Sequence, residues 1–149
     1  MKVGIGSDHA GLDLKQELVE YIVGTGADVR DFGTTNTESV DYPDFAFEVA
    51  HAVASGECDF GVLVCSTGIG MCVAANKVKG IRAALVYNTE SAVQSRSHVD
   101  CNVIVFGQRF NDIERAKAAY DAWVKTPFEG GRHERRVRKI TDYEDKRDA

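Results

Sequence analysis

Short apolar runs alternate with amphipathic stretches along this whole chain, and that alternation is what most restricts its fold. The runs Lys2–Gly6, Ala27–Phe32, Phe60–Val64, Ile81–Val86 and Asn102–Phe106 have the length and residue types of strands. Between them the period lengthens to that of helices. Leu12–Val23 carries Leu14, Leu18, Tyr21 and Ile22 on one face, and further helices are expected over Phe45–Ala54, Gly68–Asn76, Thr89–Ser97 and Ile113–Val124. Pro43, in Asp41-Tyr42-Pro43-Asp44, suits the start of the second helix. Gly130-Gly131 then breaks the chain before a last helix from Arg132 to about Tyr143, and the charged tail Asp142–Ala149 is expected to fray. Strand–helix alternation implies parallel strands joined by right-handed crossovers. The expected fold class is therefore α/β: a three-layer α/β/α Rossmann-like sandwich with a five-stranded parallel sheet and helices on both faces.

A chain of 149 residues with 44% hydrophobic content can bury one real core, and a single domain over residues 1–149 is expected. The net charge of −5 argues against a general nucleic-acid or membrane-surface role. Any anionic ligand must then be met by a local cluster of cations. The four cysteines, Cys58, Cys65, Cys72 and Cys101, form no CxxC pair and fit no zinc spacing. No basic, apolar leader opens the chain and no segment reaches the length of a membrane span, so a cytoplasmic protein with reduced thiols is expected.

In open α/β sheets, ligands bind beyond the carboxyl ends of the strands. The first strand delivers Ser7-Asp8-His9 there, the third Cys65-Ser66-Thr67, and the fifth Gly107-Gln108-Arg109. The fourth helix ends in Arg96-Ser97-His98, and all these elements are expected to converge on one sheet edge. Cys65 stands between a strand and the amino end of a helix, where backbone N–H groups favour anions, including a thiolate. It reads either as a reactive base or as a buried, inert thiol. Thr67, Gly68 and Gly70 suit an oxyanion site or simply a tight turn. A cysteine phosphatase loop would need arginine where Met71 stands. A dinucleotide fingerprint starting at Gly4 would need glycine at His9. Arg132 and Arg136 lie four apart, so they share a helix face, with Val137 and Ile140 turned the other way for packing. Arg135, Arg138 and Lys139 read as a solvated face.

Taken together, Gly-x-x-Asp-His, Cys-x-Thr-Gly-x-Gly, Ala-Ala-Asn-Lys with Gly-Ile-Arg-Ala, Ser-Arg-x-His before Asn-Val, and Gly-Gly-Arg-His-x-x-Arg-Val form an ordered set. The chain resembles the ribose-5-phosphate isomerases of the B type, from Lys2 to about Ile140. That family also includes allose-6-phosphate, galactose-6-phosphate and tetrose-phosphate isomerases. The resemblance implies a cofactor-free aldose–ketose isomerase working through a cis-enediolate, with ribose 5-phosphate and ribulose 5-phosphate as the leading pair. It implies Cys65 as the base, Thr67 beside it, and His98 as ring-opening acid–base assisted by Asp8. His9, Arg109, Arg132, His133 and Arg136 would hold phosphate and substrate, with Ser66, Gly68 and Gly70 lining the turn. It further implies a homodimer, or a tetramer built from it, with active sites shared between subunits and the last helix reaching across. No metal is expected, because the histidines are scattered along the chain without a carboxylate cluster.

Two positions depart from the family pattern. Ser66 stands where glycine is common, and Val99 replaces the asparagine that usually follows the ring-opening histidine. Valine cannot hydrogen-bond a sugar oxygen, a loss of about 0.5–1.5 kcal/mol. Asp100 and Ser66 are the candidates to compensate. Position 99 therefore bears on which sugar is preferred. The rival readings are the same chemistry on another aldose phosphate, and a sugar-phosphate-binding subunit without catalysis.

Overall fold

In the computed structural model, which describes residues 1–149, the apolar runs are strands β1 (Lys2–Ser7), β2 (Asp28–Asp31), β3 (Phe60–Cys65), β4 (Ala83–Leu85) and β5 (Val103–Gly107). They form one five-stranded, all-parallel sheet in the order β2-β1-β3-β5-β4. The helices are α1 (Leu12–Gly24), α2 (Tyr42–Ala54), α3 (Ile69–Ala75), α4 (Thr89–Ser97), α5 (Ile113–Lys125) and α6 (Arg132–Arg147).

Successive side chains of a strand point to opposite faces, and β3 makes the three layers visible. Val62 and Val64 join one core with Leu18 of α1, Ala92 of α4 and Trp123 of α5. Leu63 and Cys65 join the other core with Val49 of α2 and Met71 of α3. The expected three-layer α/β/α arrangement is the observed one. Apolar burial on both faces is what β3 and β5 need, and it explains why their sequences read as continuous rather than alternating runs.

Several element boundaries differ from the sequence expectation. Ile81, Arg82 and Val86 fall outside β4. The outer edge of β4 is occupied by a side chain: Asn76 Oδ1 accepts from the Ala83 amide at 2.8 Å, and its Nδ2 donates to the Ala83 carbonyl at 3.0 Å. An edge covered in this way cannot recruit another strand. Helix α2 starts at Tyr42, with Pro43 inside its first turn. Residues Asp142–Arg147 do not fray. They continue α6, held by a Lys79–Asp145 ion pair at 2.9 Å and by the Gly80 amide donating to Glu144 at 3.1 Å. Ile140, expected to pack, is 52% exposed. No helix is long and apolar enough to cross a membrane.

Candidate active site

At the carboxyl edge of the sheet, β1 delivers Asp8 and His9. The β1–β2 pairing continues past β2, with Ser7 N–H on the Gly33 carbonyl and Thr34 N–H on the Ser7 carbonyl, both at 2.8 Å. The buried Lys15 ammonium locks this corner, donating to both Asp31 carboxylate oxygens at 2.8 and 3.0 Å and to the Thr34 carbonyl at 2.5 Å. Asp8 then caps a short 3-10 turn, its Oδ1 accepting from the Gly11 amide at 3.0 Å. His9 Nδ1 accepts from the Val40 amide at 3.2 Å, which leaves Nε2 to carry the proton of the neutral ring.

Cys65 ends β3, and the turn after it is fastened to β5. The Gln108 amide donates to the Cys65 carbonyl at 2.9 Å and the Arg109 amide to the Ser66 carbonyl at 3.0 Å. The Cys65 Sγ is buried and accepts the Gly68 amide at 3.2 Å. Thr67 Oγ1 accepts from Ile69 at 3.3 Å. The next two amides of the helix start, those of Gly70 and Met71, make no hydrogen bond within the chain. They are donors available to an anion.

Glycine is required here on geometric grounds. Gly68 has φ 81°, and a Cβ there would lie 2.4 Å from Leu85 Cδ1. A Cβ on Gly70 would lie 2.4 Å from the Tyr42 ring, so Tyr42 rests directly over the turn. Tyr42 was not singled out from the sequence, and only its place two residues before Asp44 in a loop–helix junction could have pointed to it. Beside the turn, a cleft of about 610 Å³ is lined by Thr67, Gly107 and Arg109 together with Ile69, Tyr87 and Phe110. The other thiols differ in setting. Burial pushes the Cys58 and Cys72 thiols up, and Cys101 up to about 12, so none of them ionises readily.

His98 does not join this edge. Helix α4 runs antiparallel to the strands, so its start lies at the carboxyl edge and its end at the amino edge. Nine residues of helix separate the two by about 14 Å. The expectation that all the site elements converge on one edge of one chain is thus corrected. Val99 and Asp100 follow at the same amino edge, where Arg82, just before β4, donates to the carbonyls of Val99 at 3.0 Å and Asp100 at 2.9 Å. Asp100 takes the left-handed backbone, at φ 52°, that turns the chain into β5. Helix α6 starts here too, so Arg132, His133 and Arg136 stand with His98 and not with Cys65.

Two of the four histidines, expected to be scattered, meet in space. The His98 and His133 rings stack at 4.2 Å between centroids, 9° from parallel. Glu129 faces both: its Oε2 lies 3.9 Å from His98 Nε2 and its Oε1 3.8 Å from His133 Nε2. These ligand-capable atoms all lie within 4.8 Å of one another. A metal seeks the in-plane lone pair of each imidazole, and no point lies in the planes of two stacked rings. What the cluster offers instead is one carboxylate within ion-pair distance of both Nε2 atoms. His133 is buried, and burial first, then the neighbouring His98 and Arg132 charges, hold its pKa below the ordinary histidine value; Glu129 works in the opposite direction.

A model of the ribose/galactose isomerase family matches residues 3–140. Ribose-5-phosphate isomerase B of Escherichia coli K12 is 48% identical, over 98% of each chain. D-erythrulose-4-phosphate isomerase of Pectobacterium atrosepticum is 42% identical, over 97% of this chain and 95% of its own. Among solved structures, Clostridium thermocellum ribose-5-phosphate isomerase B superposes with a TM-score of 0.96 at 51% identity, covering 98% of this chain and 99% of the other. The Mycoplasma genitalium ribose-5-phosphate isomerase B with bound ribulose-5-phosphate gives a TM-score of 0.93 at 42% identity, with 97% and 96% covered.

Proposed function

The chain belongs to the ribose/galactose isomerase family and is a sugar-phosphate isomerase, and from that premise we propose that it interconverts ribose 5-phosphate and ribulose 5-phosphate with Cys65 as the base. The observation that carries this reading is the setting of Cys65: a thiol at a strand end, taking one helix-start amide, with the Gly70 and Met71 amides unused beside it. The likeness to the structure holding ribulose-5-phosphate supports the choice of sugar.

The chemistry follows from those groups. His98 gives a proton to the ring oxygen as the C1–O bond breaks, while Asp8 takes the proton of the C1 hydroxyl, leaving the open aldehyde. The Cys65 thiolate then removes the C2 proton. Electrons move into the C1–C2 bond and charge collects on O1. The open amides and the Thr67 hydroxyl stabilise that charge, which develops only as the enediolate forms. Cys65 then returns its proton to C1 while the proton of the O2 hydroxyl passes to O1, leaving a carbonyl at C2 and a hydroxyl at C1, which is the ketose. One proton leaves C2 and one arrives at C1, so no redox cofactor enters. His9, Arg109, Arg132, His133 and Arg136 hold the phosphate and the rest of the substrate, the arginines offering paired N–H donors suited to phosphate.

The two halves of this machinery stand on opposite edges of the sheet, so a site that uses both takes one half from each of two copies. A two-fold dimer meets that need, because each copy then completes the other's site. Helix α6, which starts beside His98, is the element that reaches the partner. Val99 and the likeness to an erythrulose-4-phosphate enzyme favour a second reading, the same proton transfer on a tetrose phosphate. The test is turnover of a panel of tetrose, pentose and hexose phosphates, run beside Cys65→Ala. Turnover of ribose 5-phosphate that vanishes in the variant is the expected result. Preference for a tetrose phosphate would replace the substrate, and turnover surviving in the variant would move the base elsewhere.

A further inference from the structure

We propose that Glu129 is a positioning residue for ring opening, tying the stacked His98 and His133 rings into one proton-sharing unit and setting the angle at which His98 meets the sugar. The proposal rests on the reading of His98 as the ring-opening acid–base.

The geometry is specific. Each Glu129 oxygen faces one imidazole Nε2, at 3.9 Å for His98 and 3.8 Å for His133, the span of a close ion pair or of a bridging water. The Glu129 backbone is fixed to the end of α4, its amide donating to the Ser97 carbonyl at 3.0 Å, one residue before His98. Gly130 and Gly131 both take positive φ, 70° and 58°, and this turn brings Glu129 back over the first residues of α6. The His133 amide closes the loop on the Gly130 carbonyl at 3.1 Å. The end of α4, about thirty residues earlier in the chain, is thereby held in one piece with Glu129 and the start of α6.

Charge gives the arrangement its purpose. The groups acting on His133 are His98, Arg132 and Arg136, which oppose a proton there, and Glu129, which favours one. A charge on either ring opposes a second charge on its stacked neighbour at 4.2 Å. Glu129 is the carboxylate that faces both rings. When His98 gives its proton to the ring oxygen, the replacement is taken up beside Glu129. Such coupled groups titrate as a pair rather than as separate residues.

The experiment compares wild type with Glu129→Gln, which keeps the shape and removes the charge. Imidazole proton resonances of His98 and His133 are followed against pH by NMR, and kcat and KM for ribose 5-phosphate are measured across the same range. The expected result is that the pair loses its proton at lower pH in the variant, that the linked limb of the kcat profile moves the same way, and that kcat at neutral pH falls about ten-fold with KM little changed. Superimposable imidazole titrations in the two proteins would overturn the proposal. An unshifted kcat profile with shifted titrations would overturn it too, leaving Glu129 a merely local charge. Absence of any turnover in the wild type would overturn the isomerase reading itself, and the NMR titration, which needs no substrate, separates that failure from the other.

Discussion

In the proposed reaction, activity turns on Cys65 and selectivity on Val99. Replacing a group that moves a proton in the transition state costs about 10²–10⁴ in rate, so Cys65→Ala is expected to lower kcat within that range while leaving KM close to wild type. A drop in KM-linked affinity with kcat intact would mean that Cys65 only lines the site. Val99 is 36% exposed at the amino edge, beside His98, and its carbonyl accepts from Arg82 while its side chain makes no hydrogen bond. Val99→Asn should therefore fold normally and raise turnover of ribose 5-phosphate relative to other sugars. An unchanged ranking of sugars would remove position 99 from substrate choice. Gly70→Ala tests the turn from another side. The added methyl meets the Tyr42 ring, so Tyr42 must move, and a clear rise in KM is expected. Wild-type KM in that variant would separate Tyr42 from the substrate path. The placement of Cys65, Thr67 and Asp8 at the carboxyl edge was legible in the sequence because each lies at a strand end or within two residues of one. Tyr42 and Glu129 were not, because each reaches the site across a loop whose path depends on glycine torsions and tertiary contacts.

Among the elements, strands with strong apolar runs were read within a residue or two, and α4 was read to its ends, since Asn88 forms a reciprocal cap with Ser91. Reading failed where a side chain replaced a backbone partner. The Asn76 amide ends the pairing of β4, a contact between residues seven apart that periodicity does not register. The far end of α6 likewise depends on contacts with Lys79 and Gly80 rather than on its own composition. Lys15 illustrates the same limit in reverse: a lysine inside an amphipathic helix that turns out to be 1% exposed. Lys15→Ala removes the ammonium from the Thr34 carbonyl and from the Asp31 carboxylate, which keeps the Gly33 amide and is partly open to water. The cost expected is about 1–3 kcal/mol, read as a lower urea midpoint with an unchanged slope. A midpoint within error of wild type would show that water replaces the ammonium at this corner without loss.

At the scale of the whole molecule, the sheet order and the direction of α4 decide the outcome. Fold class followed from the alternation of strands and helices, but the separation of Cys65 from His98 followed only once α4 was set antiparallel to β4 and β5. A site that uses both residues must, because of that separation, be built from two chains. The most direct measurement is subunit complementation. Cys65→Ala and His98→Asn chains are prepared separately, unfolded together, refolded as a mixture and assayed for isomerisation of ribose 5-phosphate. Each variant alone should be nearly inactive. If each site takes Cys65 from one chain and His98 from the other, an equal mixture forms mixed dimers in which one of the two sites is intact, and about a quarter of wild-type activity returns. If the refolded mixture, with mixed dimers demonstrated by mass, stays as inactive as its components, the two residues do not meet across chains and the shared-site account is wrong.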